Sequence, residues 1–219
     1  MQNARFFGFA IKKNNLRGRS ICLRPLRKVW CFMIGYAMCA SFCTLKSSVK
    51  ILEEIRGTGE EIVPILSEKC AATDTRFGKA SDLVQRVENI CGRKIVSDIV
   101  EAEKFGSLIP LDYLIISPCT GNTLAKLASV ITDGVVTMAA KAHLRCDRPL
   151  LIALATNDAM SQNLKNIATL LSRKSVYFTP MRQDDPQGKP HSLVADAEKI
   201  KEAVSAMKKS EQLRPLFLS

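Results

Sequence analysis

Thr120, Gly121, Asn122 and Thr123 place two hydroxyls, an amide and four backbone N–H groups at one turn between an apolar run and a helical pattern. The run is Tyr113-Leu114-Ile115-Ile116, continued by Ser117-Pro118-Cys119. The helical pattern carries Leu124, Leu127, Ala128 and Ile131. The first N–H groups of a helix lack intrahelical partners and the helix dipole favours negative charge there, so such a turn suits a phosphate or a carboxylate. The same residues also describe an ordinary capped helix after a buried strand, and spacing alone does not separate the two.

Three further places carry chemistry. The loop Cys39-Ala40-Ser41-Phe42-Cys43-Thr44 follows an apolar run and offers the hydroxyls of Ser41 and Thr44. Arg76, in Thr73-Asp74-Thr75-Arg76-Phe77, has the planar fork that grips a carboxylate with two bonds; a solvated surface arginine is the alternative. Lys141, His143 and Arg145 sit two residues apart, so they do not share one helical face. His143 is an acid/base candidate or a structural histidine. Asn157, in Ala155-Thr156-Asn157-Asp158, puts an amide at a strand end, where it holds an anionic ligand or caps the next helix.

These residues need strands that end where helices begin, and the apolar pattern supplies them. Strand-like runs lie at Phe32–Met38, Ile62–Leu66, Lys94–Ser97 (short), Leu111–Ser117, Pro149–Ala155 and Val176–Phe178. Helical periods mark Val49/Leu52/Ile55, Leu83/Val84/Val87/Ile90, the segment after Thr120, Val135–Leu144, Leu164/Ile167/Ala168/Leu171 and Ser192–Lys208. Alternation of this kind predicts an α/β, Rossmann-like three-layer fold with a mostly parallel sheet of about six strands. Ligands of such sheets lie at the carboxyl ends of the strands, so the loops after the first, fourth and fifth runs are the expected site. No G-x-G-x-x-G follows the first run, so a dinucleotide fingerprint is missing.

Composition narrows the class. With 219 residues, 47% of them apolar, the chain can bury one α/β core. Of the +11 net charge, eight basic side chains and no acid fall in residues 1–29, leaving 24 basic against 21 acidic groups elsewhere. We therefore expect a basic arm at 1–29, disordered or a leader ahead of the true start. A domain at 30–210 and a tail at 211–219 follow. Neither nucleic acid nor a membrane is an expected partner. The eight cysteines form no C-x-x-C pair and the two histidines complete no zinc pattern, so reduced core cysteines in a cytoplasmic protein and no metal site are expected.

The run Ser117-Pro118-Cys119-Thr120-Gly121-Asn122-Thr123-Leu124-Ala125-Lys126-Leu127-Ala128 resembles the flavin signature of the homo-oligomeric flavin-containing cysteine decarboxylase superfamily. Ile34–Leu45, Ile65–Asp82, Met138–Arg145, Ala155–Asp158 and Lys189–Asp196 lie in order around it, and together these blocks resemble the family of dipicolinate synthase B subunits over residues 30–219. Cys39 and Ala40 stand where that family usually shows Thr and Gly. The resemblance implies FMN held by Ser41, Thr44, Ser117, Cys119, Thr120, Gly121, Asn122 and Thr123. It also implies a dicarboxylate gripped by Arg76, Asn157, Lys141 and Arg145, with His143 catalytic. It implies a homo-oligomer acting with a separate A subunit that carries NADP, oxidising dihydrodipicolinate to pyridine-2,6-dicarboxylate in the mother cell of a sporulating bacterium. Two alternatives stay open: a cofactor-free interaction subunit, and a flavin-dependent decarboxylase. Against the latter, Ile99–Leu111 lacks the histidine that the decarboxylases place there.

Overall fold

The computed structural model describes residues 32–219, and the basic arm at 1–29 lies outside them. Four strands form the middle of the sheet: β1 (Met33–Met38), β2 (Glu61–Leu66), β3 (Tyr113–Cys119) and β4 (Leu150–Thr156). Their near-continuous apolar sequences follow from burial on both faces, as parallel strands require. Every residue of β3 is buried, and so are all but the first of β1 and β2. The order β2-β1-β3-β4 is parallel throughout. Beyond β4 come β5 (Val176–Phe178), β6 (Met181–Arg182) and β7 (Leu193–Ala195). β5 runs parallel to the first half of β4, while β7 pairs antiparallel with Ala155 and Thr156 at its end, and β6 with β7. The sheet thus has seven strands.

The helices fall on two faces. α1 (Leu45–Arg56), α3 (Ala80–Cys91) and α8 (Ile200–Lys208) cover the side of Ile34, Tyr36, Met38 and Ile115. α4 (Ile99–Glu103), α5 (Gly121–Ala128), α6 (Val135–Leu144) and α7 (Leu164–Leu171) cover the side of Ala37, Leu114, Ile116 and Ile152. A short helix, α2 (Glu68–Ala72), leaves the end of β2. Its Glu68 carboxylate accepts from the N–H of Val135 at 3.0 Å, which fixes the start of α6.

Two expectations need correction. Lys94–Ser97 is no strand: only Val96 bridges to Ile65, with bonds to Leu66 N–H and the Pro64 carbonyl. Pro64 itself stays inside β2, which is tolerable on the edge of a sheet. The last helix starts at Ile200 rather than Ser192, because Leu193–Ala195 is taken by β7 and Ala197–Lys199 forms a 3-10 turn capped by Asp196. After α8 the chain packs again: the Gln212 amide donates to the Phe178 carbonyl (2.7 Å) and accepts from its N–H (2.8 Å), acting as a strand neighbour for β5. Among the described residues no helix is long and apolar enough to cross a membrane.

Candidate functional site

Three strand ends build the site. After β1, Ser41 and Thr44 close a turn in which the Thr44 hydroxyl bonds Ser41 Oγ at 2.9 Å and the Ser41 carbonyl at 3.0 Å. α1 then begins with neither a side-chain cap nor an acidic residue in its first turn. Its dipole is therefore left for a ligand to answer. Thr44, Ser47 and Ser48 line a cavity of about 350 Å3, whose floor is Ser117, Pro118 and Ala153–Ala155. Ser48 and Ser117 are buried and joined Oγ to Oγ at 3.1 Å, and the Ser48 carbonyl accepts from Tyr36 at 2.8 Å. The far wall comes from the β6–β7 segment: Arg182, ion-paired to Asp196, and Asp184, held ionised by the Ser192 hydroxyl and Lys189.

The second strand end opens α5. Thr120 caps it, its hydroxyl oxygen accepting from Thr123 N–H at 3.2 Å. The N–H groups of Gly121 and Asn122 have no acceptor among the described residues, and the exposed Asn122 amide has no partner there either. The third strand end packs onto this turn. Asp158 accepts from the Thr156 hydroxyl and from Asn163 Nδ2 (2.9 Å), and those bonds hold its carboxyl below the usual range. A Cβ on Gly121 would lie 2.5 Å from Thr156 Oγ1 and 3.0 Å from Asp158 Oδ1. The start of α5 therefore faces a carboxylate already in place, and the uncapped start of α1 is the freer anion site.

Most expected cofactor residues come together here, but not all point the same way. Ser41, Thr44, Ser117, Thr120, Gly121 and Asn122 line or border the strand ends. Cys119 is fully buried among the side chains under α5 and α6, and Thr123 turns inward to donate to Cys39 Sγ at 3.3 Å. Burial raises the Cys39 thiol to about 11 and Cys119 well above its ordinary value, so neither is a ready nucleophile. Residues not anticipated are Ser47, Ser48, Asp158, Arg182 and Asp184. Ser47 and Ser48 follow Thr44 within four positions, and that spacing is the signal the sequence holds for them.

The structure does not bring His143 to the strand ends. It lies at the opposite end of the sheet, fully buried in α6, with Nε2 2.9 Å from the Pro149 carbonyl that precedes β4 and with Nδ1 unpartnered. Arg145 is at the same end, donating to Ser107 and the Glu103 carbonyl, away from the strand ends of its own chain. Lys141 is exposed on α6, about 9 Å along the helix from its start at 1.5 Å per residue. Arg76 is exposed, its guanidinium 4.8 Å from the centre of the Phe77 ring. Asn157 is exposed after β4. The strands that lead towards Arg76 and Asn157, β2 and β4, have β1 and β3 between them in the sheet, and α2 intervenes between β2 and Arg76.

Burial lowers the His143 pKa to about 4, with Arg148 adding to the effect and the Pro149 carbonyl opposing it. The folded value lies below the unfolded one near 6.5, so this contribution to stability is whole above pH 6.5 and is lost as pH falls towards 4. At pH 5 the loss is about 2 kcal/mol, or roughly 4–8 °C in Tm. Thermal melts at pH 7.5 and 5.0 should show that drop, and His143→Gln should show much less of it. An equal pH difference in the two proteins would place the acid sensitivity elsewhere.

The relatives share this fold. Residues 34–211 match the family described as Flavoprotein. Over 185 residues the chain is 37% identical to the B subunit of dipicolinate synthase from Bacillus subtilis (strain 168), covering 84% of this chain and 92% of that protein. The crystal structure of the corresponding dipicolinate synthase B subunit from Bacillus halodurans is 36% identical with a TM-score of 0.79, over 86% of this chain and 96% of that one. The FMN-dependent cysteine decarboxylase SpaF shares the fold at 22% identity and a TM-score of 0.59, over 82% and 97% of the two chains. With a parallel sheet whose strand ends carry the expected turns, and with this identity over most of its length, the chain belongs to the flavoprotein family and, within it, to the dipicolinate synthase B subunits.

Proposed function

We propose that this chain is the B subunit of an oxidoreductase that converts dihydrodipicolinate to pyridine-2,6-dicarboxylate, working in the cytoplasm of a sporulating mother cell with an NADP-binding A subunit and as a homo-oligomer. The observation that carries the reading is the 37% identity to a dipicolinate synthase B subunit over 84% of the chain. The strand ends are compatible with a flavin phosphate: an uncapped α1 start, the hydroxyls of Thr44 and Ser47, and the free N–H groups of Gly121 and Asn122. FMN, when bound, supplies a two-electron acceptor. The chain's part is to anchor the phosphate, to close one side of the ring site with Pro118 and Ala153–Ala155, and to offer Arg76 and Asn157 to carboxylates. His143 moves no proton in this scheme, because it is sealed at the far end of the sheet.

One observation favours the cofactor-free interaction subunit instead: Asp158 stands beside Gly121, where a second anion is repelled. The absorption spectrum of the purified full-length chain separates the two. Flavin bands are expected, and Asn122→Ala and Thr44→Val should each lower flavin content. A lost charge-assisted hydrogen bond costs about 1.5–3 kcal/mol, roughly ten- to a hundred-fold in Kd. Asn122 is exposed, so the melting temperature of its variant should hardly change, while Thr44→Val also loses the turn's bonds to Ser41. Unchanged flavin per protein in both variants would remove the cradle from these residues, and a colourless wild type after FMN addition would leave the interaction subunit.

A further inference from the structure

A second cavity, of about 610 Å3, lies between α1 and α3 on the side of the β1–α1 loop away from Ser117. Its apolar walls include Phe42, Val49, Leu83 and Phe77. Phe77 is 57% exposed, and Arg76 lies over its ring. Two lysines border the cavity, Lys46 and Lys79, and neither has a carboxylate partner among the described residues. Arg86 is already answered by Glu53 at 2.9 Å. The one acidic side chain on the lining is Asp82, which accepts from Ser81 at 3.2 Å.

From these observations we propose that the groove between α1 and α3 is a binding site for a planar aromatic carboxylate, gripped by Lys46 and Lys79 and covered by Phe42 and Phe77. Two rings on an apolar wall take a flat face, and two unpaired ammonium groups take an anion at its edge. The volume falls in the range of small-molecule sites. Naming a pyridine dicarboxylate as the ligand rests on the function proposed above. The groove offers such a ligand groups that share one cavity, beside the loop that carries Ser41 and Thr44.

The test is calorimetric titration of the full-length chain with pyridine-2,6-dicarboxylate, with glutarate as a diacid lacking the ring. The aromatic diacid should bind, and glutarate should bind about ten-fold more weakly or worse. Lys79→Ala and Phe77→Ala should each weaken the aromatic diacid about ten-fold, while Lys165→Ala on α7 should leave it unchanged. Flavin per protein should stay at the wild-type value in all three. No binding of the aromatic diacid, equal binding of glutarate, or unchanged affinity in both groove variants would overturn the inference. So would loss of flavin in Lys79→Ala, since the groove would then belong to the cofactor. A colourless wild type that still binds the diacid through Lys79 and Phe77 would count against the flavin reading alone.

Discussion

Gly121→Ala should lower the melting temperature by roughly 4–16 °C and strip bound flavin, although it adds a single methyl group. The new Cβ would sit 2.5 Å from Thr156 Oγ1, 2.7 Å from Asn163 Nδ2 and 3.0 Å from Asp158 Oδ1. Side-chain ends usually swing away from such a clash, but these three are tied to one another. Asp158 accepts from both Thr156 and Asn163, and the buried Asn163 also accepts from Asn166 at 2.8 Å. Room for the methyl group opens only by breaking those bonds or by pushing the β4–α7 loop off the start of α5. Overpacking and lost partly buried hydrogen bonds together cost about 2–4 kcal/mol, and each kcal/mol is worth roughly 2–4 °C in a domain of this size. Gly57→Ala is the control. That glycine ends α1 with right-handed backbone, and its nearest neighbours stand 3.4 and 3.6 Å away. Equal melting temperatures for the two variants, with flavin retained in Gly121→Ala, would show that the turn and the β4 loop are not packed as described.

The middle strands are legible in the sequence because a parallel strand buried on both sides is a continuous apolar run. All four are such runs, and each lies within a few residues of its expected place. The short strands are not legible that way. Leu193–Ala195 has no pattern of its own, and its pairing with Ala155 and Thr156 joins residues about forty positions apart. Lys94–Ser97 looks like a strand, but it makes a single bridge.

For the site, a strand ending in small and hydroxyl residues marks the right loops, while the direction of individual side chains stays hidden. α6 reads Val-Val-Thr-Met-Ala-Ala-Lys-Ala-His-Leu and buries eight of its ten residues, so no polar face tells that His143 points inward. Chain order also does not tell that β1 and β3 stand between the strands that lead to Arg76 and to Asn157. Asp158 adjoins Asn157 in the chain, yet nothing in the sequence singles it out, because what fixes it is the gap above Gly121.

The seam between α4 and α6 predicts the largest loss of stability in the molecule. Gly106 follows α4 with φ of +116°, a backbone conformation that L-residues rarely adopt, and its N–H donates to the Ile109 carbonyl at 3.2 Å. A Cβ there would overlap the Ala142 carbonyl oxygen and approach the Ala142 carbonyl carbon at 3.1 Å and Cys146 Sγ at 3.2 Å. Unlike the neighbours of Gly121, the first two are backbone atoms of α6 and cannot rotate aside. Backbone strain of about 1–3 kcal/mol adds to the cost of forcing α6 away from α4. Gly106→Ala should therefore lose about 4 kcal/mol or more, a fall of more than roughly 10 °C. Gly92→Ala supplies the comparison: its φ is +67° but nothing lies within 4 Å of the added Cβ, so only the left-handed penalty of about 1–2 kcal/mol applies. The effect should reach the far end of the helix. α6 is anchored at its start by Glu68, beside the end of β2, and at its last turn by His143 on Pro149. Tilting the helix at Ala142 strains both anchors. If Gly106→Ala melts no lower than Gly92→Ala, the contact between Gly106 and α6 is looser than described, and the rigid placement of α6 against the sheet falls with it.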